Sequence, residues 1–179
     1  MDETDLVVAA QRRDERAFTT LVRRHERSLH ATACAILGVG WDASDAVQSS
    51  IAIAWAKLPT LREPAAFGAW ITRVLVNQCN STLRGRRNEV LTADPTEPAQ
   101  PDAYDIAGPE DRLDLVAAVR ALDPDQREVV ALRYFRDLKV DEIARILDCP
   151  VGTVKSRINR SIAKLASLLG EGTRKEASR

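Results

Sequence analysis

Apolar residues recur at helical spacing over three long stretches in the first half of the chain. The pattern predicts helices over about residues 18–37, 42–58 and 67–87. Gly38 and Gly40 follow the first stretch, and glycine is typical of a helix end. The second helix is predicted to take its cap from residues 42–44, whose polar side chains suit that position.

The second half of the chain shows four amphipathic stretches. They predict helices near residues 110–122, 125–135, 140–147 and 150–168. No segment alternates with the period of a strand for more than a few residues, so the sequence predicts an all-α fold with no sheet.

The last two helices form a predicted helix-turn-helix. A break at residues 148–150 separates them, and Pro150 suits the first turn of a helix, where an N–H is not needed. The apolar stripe of the second helix is expected to face inward at Val154, Ile158, Ile162, Leu165 and Leu169.

The opposite face of this second helix carries amide, hydroxyl and basic groups. It is made up of Lys155, Ser156, Asn159 and Arg160, with Arg157 and Lys164 at its flank. Amide and guanidinium groups bind base edges in the major groove, while flanking cations bind phosphates. The alternative is an amphipathic helix pair whose basic face is merely solvated. Residues 151–169 contain basic residues and no acidic one, which favours DNA binding.

A different composition separates the two helical regions. Residues 89–111 carry seven acidic side chains, no basic one and four of the eight prolines, as is typical of a linker. We therefore predict a first lobe at residues 1–88, a flexible linker at 89–111, a second lobe at 112–169 and a polar tail at 170–179. Extended, the linker spans roughly 75 Å at about 3.3 Å per residue, so the lobes need not touch.

The formal net charge of the chain is zero, which by itself argues against nucleic-acid binding. Resolved along the chain, the first lobe carries 12 basic and 9 acidic residues, net +3. The linker is net −7, and residues 112–179 carry 14 basic and 10 acidic residues, net +4. The chain is therefore neutral only when the charges of all its segments are added together, and both lobes are basic.

Several classes of protein are disfavoured by the sequence. It has no apolar run of membrane-spanning length and no secretory leader, so we expect a cytoplasmic protein without membrane insertion. Its three cysteines form no C-x-x-C pair, and His30 and Cys34 lack a third ligand at usable spacing, so neither a metal nor a cofactor is expected. It shows no phosphate loop, nucleophile elbow or H-E-x-x-H, so we do not expect an enzyme.

Both lobes resemble bacterial sigma factors of the extracytoplasmic-function group. The fourth conserved region of that family is similar to LDPDQREVVALRYF at residues 122–135, DEIA at 141–144 and CPVGTVKSRI at 149–158. The second conserved region is similar to AFTTLVRRH at residues 17–25, DASDAVQ at 42–48 and FGAWITRVLVN at 67–77. The resemblance implies a factor that joins core RNA polymerase and directs it to promoters.

The resemblance also implies roles for individual residues. It assigns recognition of the minus-thirty-five element to the polar face of the last helix. It assigns to Asn77 the holding of a base flipped from the minus-ten element, together with residues 61–66, which include Arg62. Phosphate contacts on the same side are then expected from Arg73, Arg84, Arg86 and Arg87.

The helix that begins near residue 42 matches the surface with which the family grips the clamp helices of the largest polymerase subunit. Asp45 and Gln48 fit the family pattern there, whereas Ser49 replaces the usual acidic residue and Ile51 the usual phenylalanine. These departures keep an apolar anchor and remove a charge. They also support an alternative, a helix-turn-helix regulator whose first lobe binds another protein without productive polymerase engagement.

Two further expectations concern partners and the linker. The resemblance implies an anti-sigma factor as a partner, without indicating which. The linker carboxylates, Asp94, Glu97, Asp102 and Asp105 among them, are hypothesised to favour the basic nucleic-acid path through polymerase or to fold back on the basic lobes. Of the tryptophans, Trp55 and Trp70 lie in apolar stripes and are predicted to pack in the core, whereas Trp41 is left undecided.

Overall fold

The computed structural model describes residues 2–92 and 118–176, with side chains described at residues 2–87 and 118–169. Within these ranges the regular structure is helical and contains no strand, which confirms the predicted all-α fold. The longer helices are α1 (Glu3–Gln11), α2 (Glu15–Leu37), α3 (Trp41–Lys57), α4 (Phe67–Thr92), α5 (Pro124–Tyr134), α6 (Val140–Ile146) and α7 (Val151–Glu176).

In the first lobe, α2, α3 and α4 pack against one another around an apolar core. Leu21 and Leu29 on α2 and Phe67, Ile71 and Leu75 on α4 are fully buried. Their spacings of eight residues on α2 and four on α4 keep side chains on one helix face, so the predicted stripes do form the core.

Helix α1 is absent from the sequence prediction. Asp2 caps it, because its carboxylate accepts from the backbone N–H of Asp5 at 2.8 Å while the Asp5 carboxylate accepts from the N–H of Asp2 at 3.1 Å. Leu6, Val7 and Ala10 are buried against the other helices of the lobe. An apolar stripe on nine residues is too short to stand out by periodicity.

Helix α3 begins at Trp41 rather than at a capping side chain from residues 42–44, so that part of the prediction is wrong. Gly40 occupies the N-cap with φ 147°, a backbone conformation that favours glycine, and no side chain bonds the first turn. The carboxylate of Asp42 instead accepts from the guanidinium of Arg86 on α4.

The tryptophans divide as the sequence suggests. The rings of Trp55 and Phe18 pack in a tilted arrangement with centroids 4.9 Å apart, and the ring of Trp70 lies 6.0 Å from that of Phe67. Both are half-buried against the core, in agreement with the predicted packing role. Trp41 is 71% exposed at the start of α3.

The helix-turn-helix is formed by α6 and α7. Asp148 takes φ 49° in the turn, and the N–H of Cys149 donates to Ala144 O at 3.1 Å, which turns the chain out of α6. Pro150 O then accepts from the N–H of Thr153 at 2.9 Å in the first turn of the next helix.

The predicted inward stripe of α7 is wrong at one position. Ile162 is 45% exposed, whereas Ser161 is fully buried and its Oγ donates to Arg157 O at 2.7 Å. At 100° per residue, Ile162 lies about 80° from Val154 around the helix and Ser161 only about 20°. The seam with α5 therefore follows Ser161 and leaves Ile162 in solvent.

The two lobes are in contact, although the linker does not require it. Helix α5 packs against α2, and α6 packs against α4.

Helices α4 and α7 continue past their predicted ends, to Thr92 and Glu176. Residues 118–120 are helical, and most of the predicted linker lies outside the described residues, as do the four carboxylates hypothesised to act there.

Candidate nucleic-acid interface

The predicted reading face of α7 is a continuous exposed surface. Lys155, Ser156, Asn159 and Arg160 are all exposed on the first three turns of the helix. Ser156 Oγ donates to Thr153 O at 3.0 Å, and Arg160 Nε donates to Ser156 O at 3.3 Å. Because the described residues provide no other bond to the guanidinium, the Nη donors of Arg160 remain free to bind a base edge or a phosphate.

The two flanking cations have partners inside the second lobe. Arg157 Nη2 donates to Asp125 Oδ2 at 2.5 Å, and Lys164 Nζ lies 3.6 Å from Asp123 Oδ2. Both carboxylates belong to the start of α5, so the pairs fix the rotation of α7 against that helix. DNA contact by Arg157 and Lys164 stays a prediction, and their structural role is to hold the reading face outward.

The first lobe presents a second basic face along α4. Asn77, Arg73, Arg84 and Arg87 are exposed there. Arg86 is committed differently, since its guanidinium binds Asp42 and its Nη1 donates to Leu37 O at 3.3 Å. Arg86 therefore joins α4 to the α2–α3 turn, and the other basic side chains of this face remain available for phosphates.

The segment preceding α4 is held by the helix that the sequence missed. It contains the short 3₁₀ turns Leu58–Thr60 and Pro64–Ala66, with Arg62 exposed between them. The amide of Gln11 donates to Leu58 O at 3.2 Å and to Leu61 O at 2.7 Å. The start of the predicted base-capturing loop is thus anchored to the end of α1.

The predicted polymerase surface lies on α3. Asp45 and Gln48 are exposed, while Ser49 and Ile51 are half-buried. Ile51 and Gln48 border a shallow groove whose remaining walls are Glu15, Phe18, Thr19, Ala52 and Trp55. The groove combines an apolar floor with a polar rim, which suits a helix from another protein.

The histidine and the cysteine in the second half of α2 lie close together. His30 Nδ1 and Cys34 Sγ do lie 3.6 Å apart, and Ser44 Oγ lies 3.5 Å from His30 Nε2. Among the residues that the structure describes, no group of three histidine, cysteine or acidic side chains is placed to bind a metal ion. Burial raises the pKa of the Cys34 thiol, which disfavours the thiolate that a metal would need.

Two candidate functional residues that the sequence does not indicate, Arg136 and Glu128, lie between the lobes. Arg136 reaches from the turn after α5 to residues of α2 and α4. Glu128 is 8% exposed on α5, and burial raises the pKa of its carboxyl. Their partners lie some 50 to 110 positions away in the sequence, so neither a motif nor a period signals them.

Two family models match separate parts of the chain. Residues 21–89 match the model for sigma-70 region 2, and residues 112–165 match the model for sigma-70, region 4. None of the helices in the described part of the chain is long and apolar enough to span a membrane.

Similar proteins extend over nearly the whole chain. It is 34% identical over 172 residues to the ECF RNA polymerase sigma factor SigM of Mycobacterium tuberculosis, which covers 94% of this chain and 85% of SigM. It is 32% identical over 169 residues to the ECF RNA polymerase sigma-E factor of Salmonella typhimurium, covering 87% of this chain and 88% of that protein.

Two solved structures share the fold, each at 28% sequence identity. The sigma factor RpoE of Bartonella quintana, in complex with the anti-sigma factor NepR, matches with a TM-score of 0.77 over 86% of this chain and 96% of RpoE. CnrH, in complex with the cytosolic domain of CnrY, matches with a TM-score of 0.72 over 94% of this chain and 97% of CnrH. With regions 2 and 4 in order and relatives of the same kind along its length, the chain belongs to the extracytoplasmic-function (ECF) family of RNA polymerase sigma factors.

Proposed function

We propose that this chain binds core RNA polymerase and directs it to promoters whose minus-thirty-five element is read by α7 and whose minus-ten element is captured by α4 and the preceding loop. The observation that carries the proposal is that each lobe presents one exposed face with the required chemistry, α7 in the second lobe and α4 in the first. In this proposal RNA synthesis is catalysed by the polymerase, and this chain supplies promoter recognition.

The second lobe reads duplex DNA. Asn159 and Arg160 supply the amide and guanidinium groups that pair with adenine and guanine edges in the major groove. Lys155 and the backbone N–H groups at the start of α7 bind phosphates, because a helix N-terminus attracts anions. The pairs of α7 with Asp125 and Asp123 orient this face and add no sequence information.

The first lobe acts once the strands separate. Asn77 binds the edge of a base that has left the stack, and Arg73, Arg84 and Arg87 hold the backbone around it. Extruding a base costs a few kcal/mol, which binding in the pocket must return. Two DNA contacts joined by residues 89–111 also give avidity, so each can be weak by itself.

The α3 surface binds the clamp helices of the largest polymerase subunit. Ile51 supplies the apolar anchor, Gln48 supplies a polar contact beside it in the groove, and the exposed Asp45 supplies another on the same helix. Ser49 leaves the position of the usual charge neutral, so this factor relies on apolar contact more than the family pattern does.

An anti-sigma factor controls the free protein in this proposal. The similar protein RpoE was solved in complex with the anti-sigma factor NepR, which supports the extension to this chain. The polymerase and promoter both lie in the cytoplasm, where the factor therefore acts.

The test is complex formation with core polymerase followed by run-off transcription. The wild type should co-purify with core enzyme and produce a transcript from a cognate promoter. Ile51→Asp should reduce core affinity, whereas Ala56→Asp places the same charge at an exposed position of α3 outside the groove and serves as the control. Absence of any complex with the folded wild type would favour the alternative regulator, which binds DNA through α7 without engaging polymerase.

A further inference from the structure

The contact between the lobes is centred on the Arg136 guanidinium. From the turn between α5 and α6, Nε donates to Thr72 Oγ1 at 2.9 Å and Nη2 donates to Gly68 O at 3.1 Å, both on α4. On α2, Nη1 donates to Ser28 Oγ, and Nη2 lies 3.3 Å from His25 Nδ1. One side chain of the second lobe is thus bonded by four groups of the first lobe.

His25 is set in one tautomer by this arrangement. A guanidinium can only donate, so His25 Nδ1 must accept and Nε2 must carry the proton. Nε2 then donates to Glu3 Oε2 at 3.1 Å. Burial, together with the Arg136 charge, lowers the pKa of His25, in keeping with a neutral ring. The socket for Arg136 is therefore assembled from α1, α2 and α4 and fits a cation.

A second arginine strengthens the same contact. Arg127 on α5 donates through Nη1 to Ile36 O at 3.2 Å and through Nε to Leu122 O at 3.0 Å. Ile36 O lies in the last turn of α2, where carbonyl groups have no partner within the helix. The second lobe thus supplies a cation to the C-terminus of α2, which complements the dipole of that helix.

Glu128 opposes closure. It faces α4, where a hydrogen bond with the Asn80 side chain lowers its carboxyl pKa, but burial has the larger effect and raises it. Its Oε1 is buried and has no hydrogen-bond partner among the described residues. A buried, incompletely bonded carboxylate destabilises the contact, so the interface combines strong bonds with a built-in penalty.

This closed arrangement does not fit the two promoter elements together. Their centres lie about 25 base pairs apart, or roughly 85 Å at about 3.4 Å per base pair. A lobe of this size has a radius of gyration of only about 12 Å, so touching lobes cannot place α7 and Asn77 that far apart. Asn80, three residues from Asn77 on α4, is also at the contact, so the second lobe borders the predicted minus-ten face.

We propose that the free factor rests in this closed form, latched by Arg136 in its four-group socket, and that withdrawal of Arg136 is a required step before both promoter elements are bound. The required opening before promoter binding rests on the proposed function, whereas the closed form itself does not. The match to RpoE bound to NepR spans 86% of this chain and hence both lobes, so this chain's own contacts maintain an arrangement similar to that of a sigma factor held by an anti-sigma factor.

The closed form is tested by small-angle X-ray scattering of the free full-length protein. The wild type should be compact, and Arg136→Ala should increase the radius of gyration, since losing charge-assisted hydrogen bonds shifts the closing equilibrium by about tenfold or more. Arg27→Ala, an exposed change on the helix that carries Ser28, should leave scattering unchanged. An extended wild type, or identical scattering from Arg136→Ala and wild type, would overturn the proposal.

Two further variants guard against a folding defect. Thr72→Val removes the acceptor of Arg136 Nε from the opposite lobe and should also expand the protein. Adding Glu128→Gln to Arg136→Ala should restore part of the compaction, because a neutral amide lowers the burial penalty. Circular dichroism shows whether each variant keeps its helices. If neither Thr72→Val nor Arg136→Ala expands a folded protein, the latch is wrong.

Transcription separates this inference from the proposed function. At limiting factor concentration, Arg136→Ala should need up to about tenfold less protein for half-maximal run-off transcript, because the competent form is more populated. Wild type and variant alike yielding no transcript would contradict the proposed function and leave the scattering result standing. Expansion by Arg136→Ala with an unchanged concentration dependence would show that closure does not limit activity and would overturn the required step.

Discussion

Arg157 Nη2 donates to Asp125 Oδ2 at 2.5 Å and so ties the second turn of α7, the predicted reading helix, to the first turn of α5. The Arg157 side chain is largely covered, whereas that of Asp125 is exposed. The bond determines which face of α7 points away from the lobe, and it connects the stability of the second lobe to the presentation of its reading residues.

Asp125→Asn is expected to lower the free energy of unfolding by about 0.5–1 kcal/mol through loss of this partly exposed pair. Asp141→Asn is the matched control, because Asp141 also lies in the first turn of a helix and has no ion pair among the described residues. Urea unfolding of both variants measures the difference. Equal destabilisation by the two changes would attribute the effect to the helix dipole and not to the pair.

Glu128 predicts a pH dependence of stability. Burial raises the pKa of its carboxyl above the unfolded value, so the structure favours the protonated form. The contribution of Glu128 is fully present below the unfolded pKa and is lost as the pH rises through the raised one.

Glu128→Gln should remove this part of the pH profile and stabilise the protein at neutral pH. His25 acts in the opposite direction: its lowered pKa favours the structure above the unfolded pKa and disfavours it as the pH falls. The comparison is therefore the difference between variant and wild type in urea unfolding from pH 4 to 8. A difference that does not change with pH would contradict the buried, shifted carboxyl.

Arg160→Ala is expected to weaken binding to the minus-thirty-five duplex by about ten- to hundredfold if its guanidinium pairs with a base edge. Ser167→Ala changes an exposed residue farther along α7 and should leave binding unchanged. Fluorescence anisotropy at fixed salt measures both. A weakening that is equal for cognate and scrambled duplexes would assign Arg160 to phosphate binding instead.

Asn77→Ala is expected to impair strand opening more than duplex binding, because the amide acts on an extruded base. Permanganate reactivity of promoter thymines should fall while gel-shift affinity of the holoenzyme for closed duplex changes little. Ser81→Ala, exposed one turn later on α4, is the control. A parallel loss of duplex affinity would place Asn77 in duplex recognition.

The sequence predicts the elements well where periodicity acts over many residues, as in α2 and α4. The prediction fails where a contact between distant parts of the chain determines which residue is buried or which residue caps a helix. Ser161 replaces Ile162 on the buried seam because the packing of α7 on α5 follows alternating steps of four and three residues. Gly40 rather than a polar residue is the N-cap of α3, and Asp42 in the first turn of that helix binds Arg86 on α4.

The predicted reading face is exposed as the helical period requires, but its flank is not free. No local pattern shows that Arg157 and Lys164 pair with carboxylates more than 30 positions away. Contacts between the lobes are beyond sequence reasoning for the same reason. Arg136 meets Thr72 across 64 positions, and only the folded arrangement brings them together.

Through Gln11, helix α1 contributes to the affinity of the predicted base-capturing loop for an extruded base. Its amide donates to Leu58 O and Leu61 O, so the backbone that begins the predicted base-capturing loop is ordered before any base arrives. Each backbone residue that is already fixed saves on the order of 1–2 kcal/mol of conformational entropy on binding. The nine-residue helix α1, which no sequence motif indicates, thus preorganises the loop. Helix α1 strengthens base binding by reducing the conformational entropy that the loop loses on binding.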